Sequence, residues 1–247
     1  ENTTFYDVHE YRAVDAATAE TILNLALQYV SESQQNQSSS SSGWNEKGHH
    51  AYYPTQDITV AEVPAIATIV DSLLLNSVFP QIRKVFNQDI PDSAFRLIDA
   101  FVVKYESVAD PKRNHLPLHR DGSIFSSNVA LNDPAEFGGG GTFFQHLGCD
   151  DNVTLTEHCR KAVVKLSEKG MAALHTGKLL HGGFPVSGGG RYILALFIDM
   201  DDKLAIQEQL WRQTIDSFNL TDGSPVTDPN PCSDTNSDCP TGGLVRA

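Results

Sequence analysis

Positive charge is scarce in this chain. Lysine and arginine number 18 against 31 aspartates and glutamates, so the net charge is −13. No basic run is present, and a nucleic-acid backbone would be repelled, which excludes nucleic acid as a partner. The acidity favours solubility first and a cationic peptide substrate second. Long apolar runs are missing as well. The best candidate, Val63 to Phe79, is interrupted by Asp71 and Asn76 and falls short of the roughly 20 residues a bilayer requires, so no membrane insertion is expected. Cysteine is limited to four residues, and the absence of a C-x-x-C pair removes a structural zinc site. The glycine runs 138–141 and 188–190 lack a G-K-[ST] ending and read as tight turns rather than phosphate loops.

What is present bears first on compartment. The cysteines fall in two close pairs, Cys149 with Cys159 and Cys232 with Cys239, and a disulfide could close either short loop where geometry allows. Four sequons occur, at Asn2, Asn36, Asn152 and Asn219, all in polar stretches. The chain opens on Glu1, and a cleaved signal peptide is one explanation. Together these lean toward a glycoprotein of the secretory pathway (endoplasmic reticulum or Golgi lumen) or a secreted one.

With 247 residues, 40% of them hydrophobic, the chain can bury a full core. Asp15 to Ser33 has a helical apolar stripe through Ile22, Ala26 and Val30, with Asp15 as its N-cap. Residues 34–48, with serines at 38–42, read as a flexible polar loop. The aromatic cluster after it (Trp44, Tyr52, Tyr53, with His49 and His50) reads as a core anchor or a substrate lid. Val60 to Asn87 reads as helix, broken or kinked at Pro80. From Ala94 onward, short β-branched and aromatic runs alternate with turns: 95–105, 124–131, 141–144, 162–166, 170–175 and 191–199. Leu204 to Phe218 reads as one more helix before a polar tail. The expectation is one integrated α+β domain: an N-terminal helical support region over 1–93, a β core over 94–202, and a C-terminal helix and tail over 203–247.

The chemistry starts at His119-Arg120-Asp121. Residues i and i+2 of a strand share a face, so His119 and Asp121 can reach one ion while Arg120 points away. Alone the pattern is weak, since a buried histidine bonded to a neighbouring carboxylate looks the same. His181, just after another apolar run, is the candidate third ligand. Two histidines and one carboxylate on one face of an ion leave further positions open, the arrangement of non-haem Fe(II) oxygenases. Ten residues on, Arg191 opens an otherwise apolar strand. A buried guanidinium needs an anion, and a dicarboxylate chelating iron at its other end would meet that need. His175 is read as a wall or core residue, and His146 and His158 as surface residues.

His119-x-Asp121, His181 and Arg191 resemble the Fe(II)- and 2-oxoglutarate-dependent dioxygenases of the prolyl 4-hydroxylase and procollagen lysyl hydroxylase type. Local stretches agree. His119-Arg-Asp-Gly-Ser-Ile-Phe-Ser-Ser-Asn-Val-Ala-Leu-Asn132 and Lys169-Gly-Met-Ala-Ala-Leu-His-Thr-Gly-Lys-Leu-Leu-His181 are similar to segments of collagen lysyl hydroxylases. Phe137-Gly-Gly-Gly-Gly-Thr142 is similar to a turn shared by both groups. The resemblance runs from about Phe95 to Asp199, under half of the chain. It implies a double-stranded β-helix core (a jelly roll, cupin-like) with flanking N-terminal helices. It implies His119, Asp121 and His181 as iron ligands and Arg191 as the holder of the distal carboxylate of 2-oxoglutarate. Tyr105 matches a tyrosine that also touches 2-oxoglutarate, although 14 residues separate it from His119. Asn128, on one face with Ser126 and Ala130, would line the pocket. An arginine at 191, where animal collagen prolyl 4-hydroxylases use lysine, leans toward the lysyl, prolyl 3- and oxygen-sensing prolyl branches.

The implied reaction is hydroxylation of a C–H bond with Fe(II), 2-oxoglutarate and O2, releasing succinate and CO2, with ascorbate as a companion reductant. The carboxylate at Asp121 argues for hydroxylation, since related halogenases leave that position to halide. A peptidyl proline or lysine is the favoured substrate. A free amino acid or other small molecule is the alternative within the class, and a non-catalytic secreted jelly-roll binding module is the alternative outside it. Nothing in the sequence sets the oligomeric state.

Overall fold

The computed structural model describes residues 6–36, 43–45, 55–86, 90–107, 113–147 and 162–201. The four cysteines, the serine run at 38–42, His49, His50, Tyr52, Tyr53, His158, the helix expected over 204–218 and the sequons at 2, 152 and 219 lie outside the described residues. The sequon at Asn36 runs out of them.

Among the described residues, twelve strands and three α-helices follow one another. They are β1 (His9–Arg12), α1 (Ala16–Asn36), β2 (Gln56–Thr59), α2 (Pro64–Leu73), α3 (Phe79–Phe86), β3 (Phe95–Glu106), β4 (Leu116–His119), β5 (Phe125–Ala130), β6 (Gly138–Gly139), β7 (Thr142–Phe144), β8 (Val163–Val164), β9 (Met171–Thr176), β10 (His181–Gly183), β11 (Val186–Gly188) and β12 (Gly190–Met200). A six-stranded sheet has the order β1-β9-β5-β12-β3-β2, and a four-stranded sheet has the order β4-β10-β7-β8. A two-stranded ribbon joins β11 to β6, and every pairing is antiparallel. The expected α+β jelly roll is the fold observed.

Strand alternation divides the large sheet into two faces. Leu194 and Leu196 of β12 face one way with Val102 and Ala100 of β3, into the core shared with the helices. Ile193 and Ala195 face the other way with Val103 and Phe101, toward the interior of the roll. Each large side chain fully buried on the helical side, such as Phe125, Leu174 or Leu194, contributes about 1.5–3 kcal/mol. That packing fixes the strand register, and the register fixes which side chains reach the interior.

The helices cover the outer face. α1 buries Ala19, Ile22, Ala26 and Val30 along one stripe. Asp15 caps it as expected, accepting a hydrogen bond from the Thr18 backbone N–H at 2.7 Å. The helix continues through Gln34 to Asn36, where the sequence had suggested loop, because glutamine is a good helix former and nothing there breaks the ladder. Trp44 is buried in the same core beside Tyr192, so this residue anchors the chain.

Pro80 does not break the second helical stretch. A π-helical turn, Leu74–Val78, joins α2 to α3 and widens the helix where the proline ring would meet a carbonyl of the preceding turn. The stretch Pro64–Phe86 is long and apolar enough to cross a membrane by length and composition. Here Ile66, Val70, Val78 and Ile82 belong to the core, and that face packs on the rest of the domain. The N-terminal region is more than a helical support, since β1 and β2 supply both outer strands of the large sheet.

Candidate metal and co-substrate site

The site begins where β4 meets β10. His119 ends β4, His181 opens β10, and the two are direct cross-strand partners. Their rings lie 4.5 Å apart between centroids. Each ring is oriented by its own backbone: His119 Nδ1 bonds Pro117 O at 2.8 Å, and His181 Nδ1 bonds Leu179 O at 2.9 Å. A carbonyl can only accept, so Nδ1 carries a proton in each ring and Nε2 is the atom turned toward the cluster.

Both Nε2 atoms point at Asp121. His119 Nε2 is 3.3 Å from Oδ1, and His181 Nε2 is 3.5 Å from Oδ2. One ligand atom from each of the three residues lies within 4.8 Å of the others, and all three residues are buried. Asp121 is not on the strand that carries His119. It lies two residues past the end of β4, held by its backbone N–H to Gly177 O at 2.8 Å. Arg120 turns away and donates its Nε to Lys178 O. The convergence expected from strand alternation is reached by a turn clamped to a neighbouring loop.

The electrostatics fit a cation. Burial pushes the Asp121 carboxyl up, but His181 and His119 outweigh it and hold it well below the usual carboxylate range. Burial pulls His181 down to about 3, against the pull of Asp121, with help from His119 and His175. His119 goes the other way: burial lowers it, but the hydrogen bond and charge of Asp121 raise it above its ordinary value. An ionised carboxylate and a neutral His181 are protonation states a divalent ion needs, and an arriving ion would take the place of the proton that Asp121 favours on His119. The donor set of two imidazoles and one oxygen, with its orienting backbone bonds, fits Fe(II).

Set back from this cluster is Arg191, the second residue of β12, with 6% of its surface exposed. Its Nη1 donates to Gly141 O at 3.0 Å, and its Nη2 reaches Thr142 Oγ1 at 3.4 Å. Tyr105 stands opposite on β3, its ring 5.3 Å from the guanidinium carbon. No carboxylate pairs with Arg191 among the described residues. Burial lowers its pKa and Tyr105 opposes that shift, and an anion in reach would offset the cost of burying the charge. Tyr105 is pushed up to about 12 by burial, with Arg191 pulling it down and Asp121 pushing it up. The phenol thus lies within electrostatic reach of both ends of the site.

Asn128 is a cross-strand partner of Ala195, on the interior face with Ser126. His175 is fully buried, its ring 4.6 Å from that of His181 and its Nδ1 bonded to Thr176 O, so it is a wall as expected. The exposed His146 bonds Tyr6 O. Two residues escaped the sequence. Ser126 donates to Asp121 Oδ2 at 2.5 Å, and Gly177 clamps the ligand turn. The glycine runs, expected as turns, are partly strand: Gly138–Gly139 form β6, Gly188 ends β11 and Gly190 opens β12, while positive φ occurs at Gly139, Gly140, Gly141 and Gly189. At Gly139 an added Cβ would lie 2.3 Å from Pro185 O, so glycine is required there.

No family model matches the chain. The chain is 32% identical over 155 residues to human procollagen-lysine,2-oxoglutarate 5-dioxygenase 2, a match covering 62% of this chain and 18% of that protein. It is 30% identical over 154 residues to the procollagen lysyl hydroxylase and glycosyltransferase of Acanthamoeba polyphaga mimivirus, covering 60% of this chain and 14% of that protein. The matches thus span less than a fifth of these relatives' length. The fold is shared with the viral collagen prolyl hydroxylase of Paramecium Bursaria Chlorella virus-1, with a TM-score of 0.50 and 17% identity, covering 77% of this chain and 94% of that one. Fold and donor set together resemble those of the jelly-roll oxygenases that use Fe(II) and 2-oxoglutarate. Within that class the sequence likeness runs to the procollagen lysyl hydroxylases, and the resemblance to prolyl and lysyl hydroxylases stands.

Proposed function

We propose that this chain hydroxylates a C–H bond of a peptidyl lysine or proline, using Fe(II), 2-oxoglutarate and O2. One observation carries the reading: a buried His119–Asp121–His181 cluster with Arg191 set back from it, a buried cation without a carboxylate partner among the described residues. A structural metal site has no use for such a cation.

When bound, Fe(II) would supply the centre at which O2, the oxidant, takes two electrons from 2-oxoglutarate, giving succinate and CO2, and two from the substrate C–H bond. His119, Asp121 and His181 would hold the ion from one side and leave the other side to co-substrate and O2. Arg191 would grip the distal carboxylate through its planar fork, while Gly141 O and the Tyr105 ring keep that fork in place. The Tyr105 hydroxyl, protonated at any physiological pH, would donate to the same carboxylate. Asn128 would line the interior beside it. Phe144, stacked on His181, helps keep the ligand face dry.

A peptide substrate is favoured by the names of the relatives, which modify procollagen lysine or collagen proline, and by the acidity of the chain. A secretory location agrees with the four sequons. The experiment is incubation of the chain with Fe(II), 2-oxoglutarate, ascorbate and a library of lysine- and proline-containing peptides. Succinate release coupled to the gain of one oxygen mass on one residue type is the expected result. Succinate release with small amino acids alone would move the substrate out of the peptide class. No 2-oxoglutarate binding in the absence of oxygen would favour a binding module.

A further inference from the structure

Asp121 is held by more than the two histidines. We propose that Ser126 is a positioning residue that fixes which carboxylate oxygen of Asp121 meets the metal; this rests on the metal-site reading above.

Ser126 is the second residue of β5 and has 0% of its surface exposed. Its Oγ lies 2.5 Å from Asp121 Oδ2 and 3.0 Å from Ser123 Oγ. An ionised carboxylate only accepts, and a hydroxyl has one proton. Ser126 must therefore donate to Asp121, and Ser123 must donate to Ser126. The result is a short chain of hydroxyls pointing at one oxygen of the ligand. Ser123 is fully buried too. Among the described residues, the side chains that reach the carboxylate are His119, His181 and Ser126. His175 faces Ser126 across the strand pair, but its Nε2 makes no hydrogen bond.

The consequence is directional. The hydroxyl occupies a lone pair of Oδ2 and leaves Oδ1, beside His119 Nε2, as the freer donor. Asp121 then binds through one oxygen. A carboxylate gripping with both oxygens would take a position the co-substrate and O2 need. A buried charge-assisted hydrogen bond is strong enough to decide between these modes.

Mn(II) affinity of the whole chain tests this without turnover, by electron paramagnetic resonance of the free ion, with thermal unfolding of the metal-free chain run alongside. S126A should weaken Mn(II) binding by about 10- to 100-fold, the usual effect of losing a hydrogen bond to a ligand. S126T keeps the hydroxyl and should restore affinity to within about threefold of the unmodified chain, given that same scale. S123A removes only the donor behind Ser126 and should cost less than S126A. The Co(II) absorption spectrum should change in S126A and not in S126T. Unchanged Mn(II) affinity in folded S126A overturns the proposal, as does a folded S126T that binds as weakly as S126A. If S126A does not fold, S123A decides: weakened binding supports the relay, and affinity equal to the unmodified chain overturns it. Failure of the unmodified chain to bind Mn(II) would instead sink the metal-site reading itself.

Discussion

Arg191 and Tyr105 face each other across β12 and β3, the guanidinium carbon 5.3 Å from the centre of the phenol ring. The pairing holds a buried cation ready before any anion arrives. It also explains how a tyrosine 14 residues ahead of His119 enters the site, since strand register rather than sequence distance puts it there.

Replacing Arg191 with lysine keeps the charge and loses both the fork and the stacking. The Kd for 2-oxoglutarate should rise by about tenfold or more, the scale of one lost charge-assisted hydrogen bond. Y105F should give a smaller rise in the same constant. Calorimetric titration of 2-oxoglutarate into the Mn(II)-loaded chain without oxygen measures both. An R191K variant that binds as the unmodified chain would remove Arg191 from the co-substrate site.

Gly177 tests the turn that carries Asp121. Its carbonyl accepts the Asp121 N–H at 2.8 Å, and its own N–H donates to Ile124 O at 2.8 Å. A Cβ there would lie 2.3 Å from Ser123 O. G177A should cost about 1–3 kcal/mol of stability, as overpacking does. Because the displaced segment carries both Asp121 and Ser123, Mn(II) affinity should fall as well. Denaturant melts and metal titration, run on the same variant, check the two effects separately.

What the sequence revealed follows from how far each feature is local. The cluster of His119, Asp121 and His181, with Arg191 set back from it, was legible from residue type and spacing. The long strands β3, β5, β9 and β12 were legible from their β-branched runs, with ends off by one residue or so. β1, β2, β4 and β10 were not, because three or four residues are too few for alternation to show, and His181-Gly182-Gly183 has no strand propensity. They exist because neighbouring strands offer partners. The π turn ahead of Pro80 was not legible, since it has no sequence signature. Ser126 was invisible as a functional residue, since its hydroxyl finds Asp121 only once β5 is in register.

Acid should destabilise the metal-free chain. Among the described residues, the buried His175 and His181 have pKa values lowered chiefly by that burial, the more exposed His9 and His146 shift the same way, and His119 is raised. Below the ordinary value near 6.5, the unfolded chain takes up protons that His175 and His181 refuse, so stability falls as pH drops from there toward about 3. His119 works in the opposite sense, adding stability below 6.5 that is lost as pH rises through its raised value, but it is one group against those two and the more exposed pair. The Tm of chelator-treated protein should therefore drop between pH 7.5 and pH 5, roughly the window in which histidine titrates. H175F, which removes one refusing ring and keeps the packing on Phe144, should flatten that slope. A Tm that rises on acidification would contradict the assignment.

Metal should be visible as stability even where no substrate is known. An ion that binds only the folded chain adds about 2.7 kcal/mol at 100 times its Kd. Adding Mn(II) or Fe(II) without oxygen should raise the Tm, and a chelator should reverse the rise. H181A deletes a donor and also leaves a cavity beside Phe144 and His175, so its metal-free Tm should fall. Measured against that lowered baseline, the metal-induced rise should disappear. Losing a ligand should weaken affinity by more than the roughly 100-fold upper bound for losing a supporting hydrogen bond. A full metal-induced shift in H181A would place the ion elsewhere, and with it the role given to Asp121, Ser126 and Arg191.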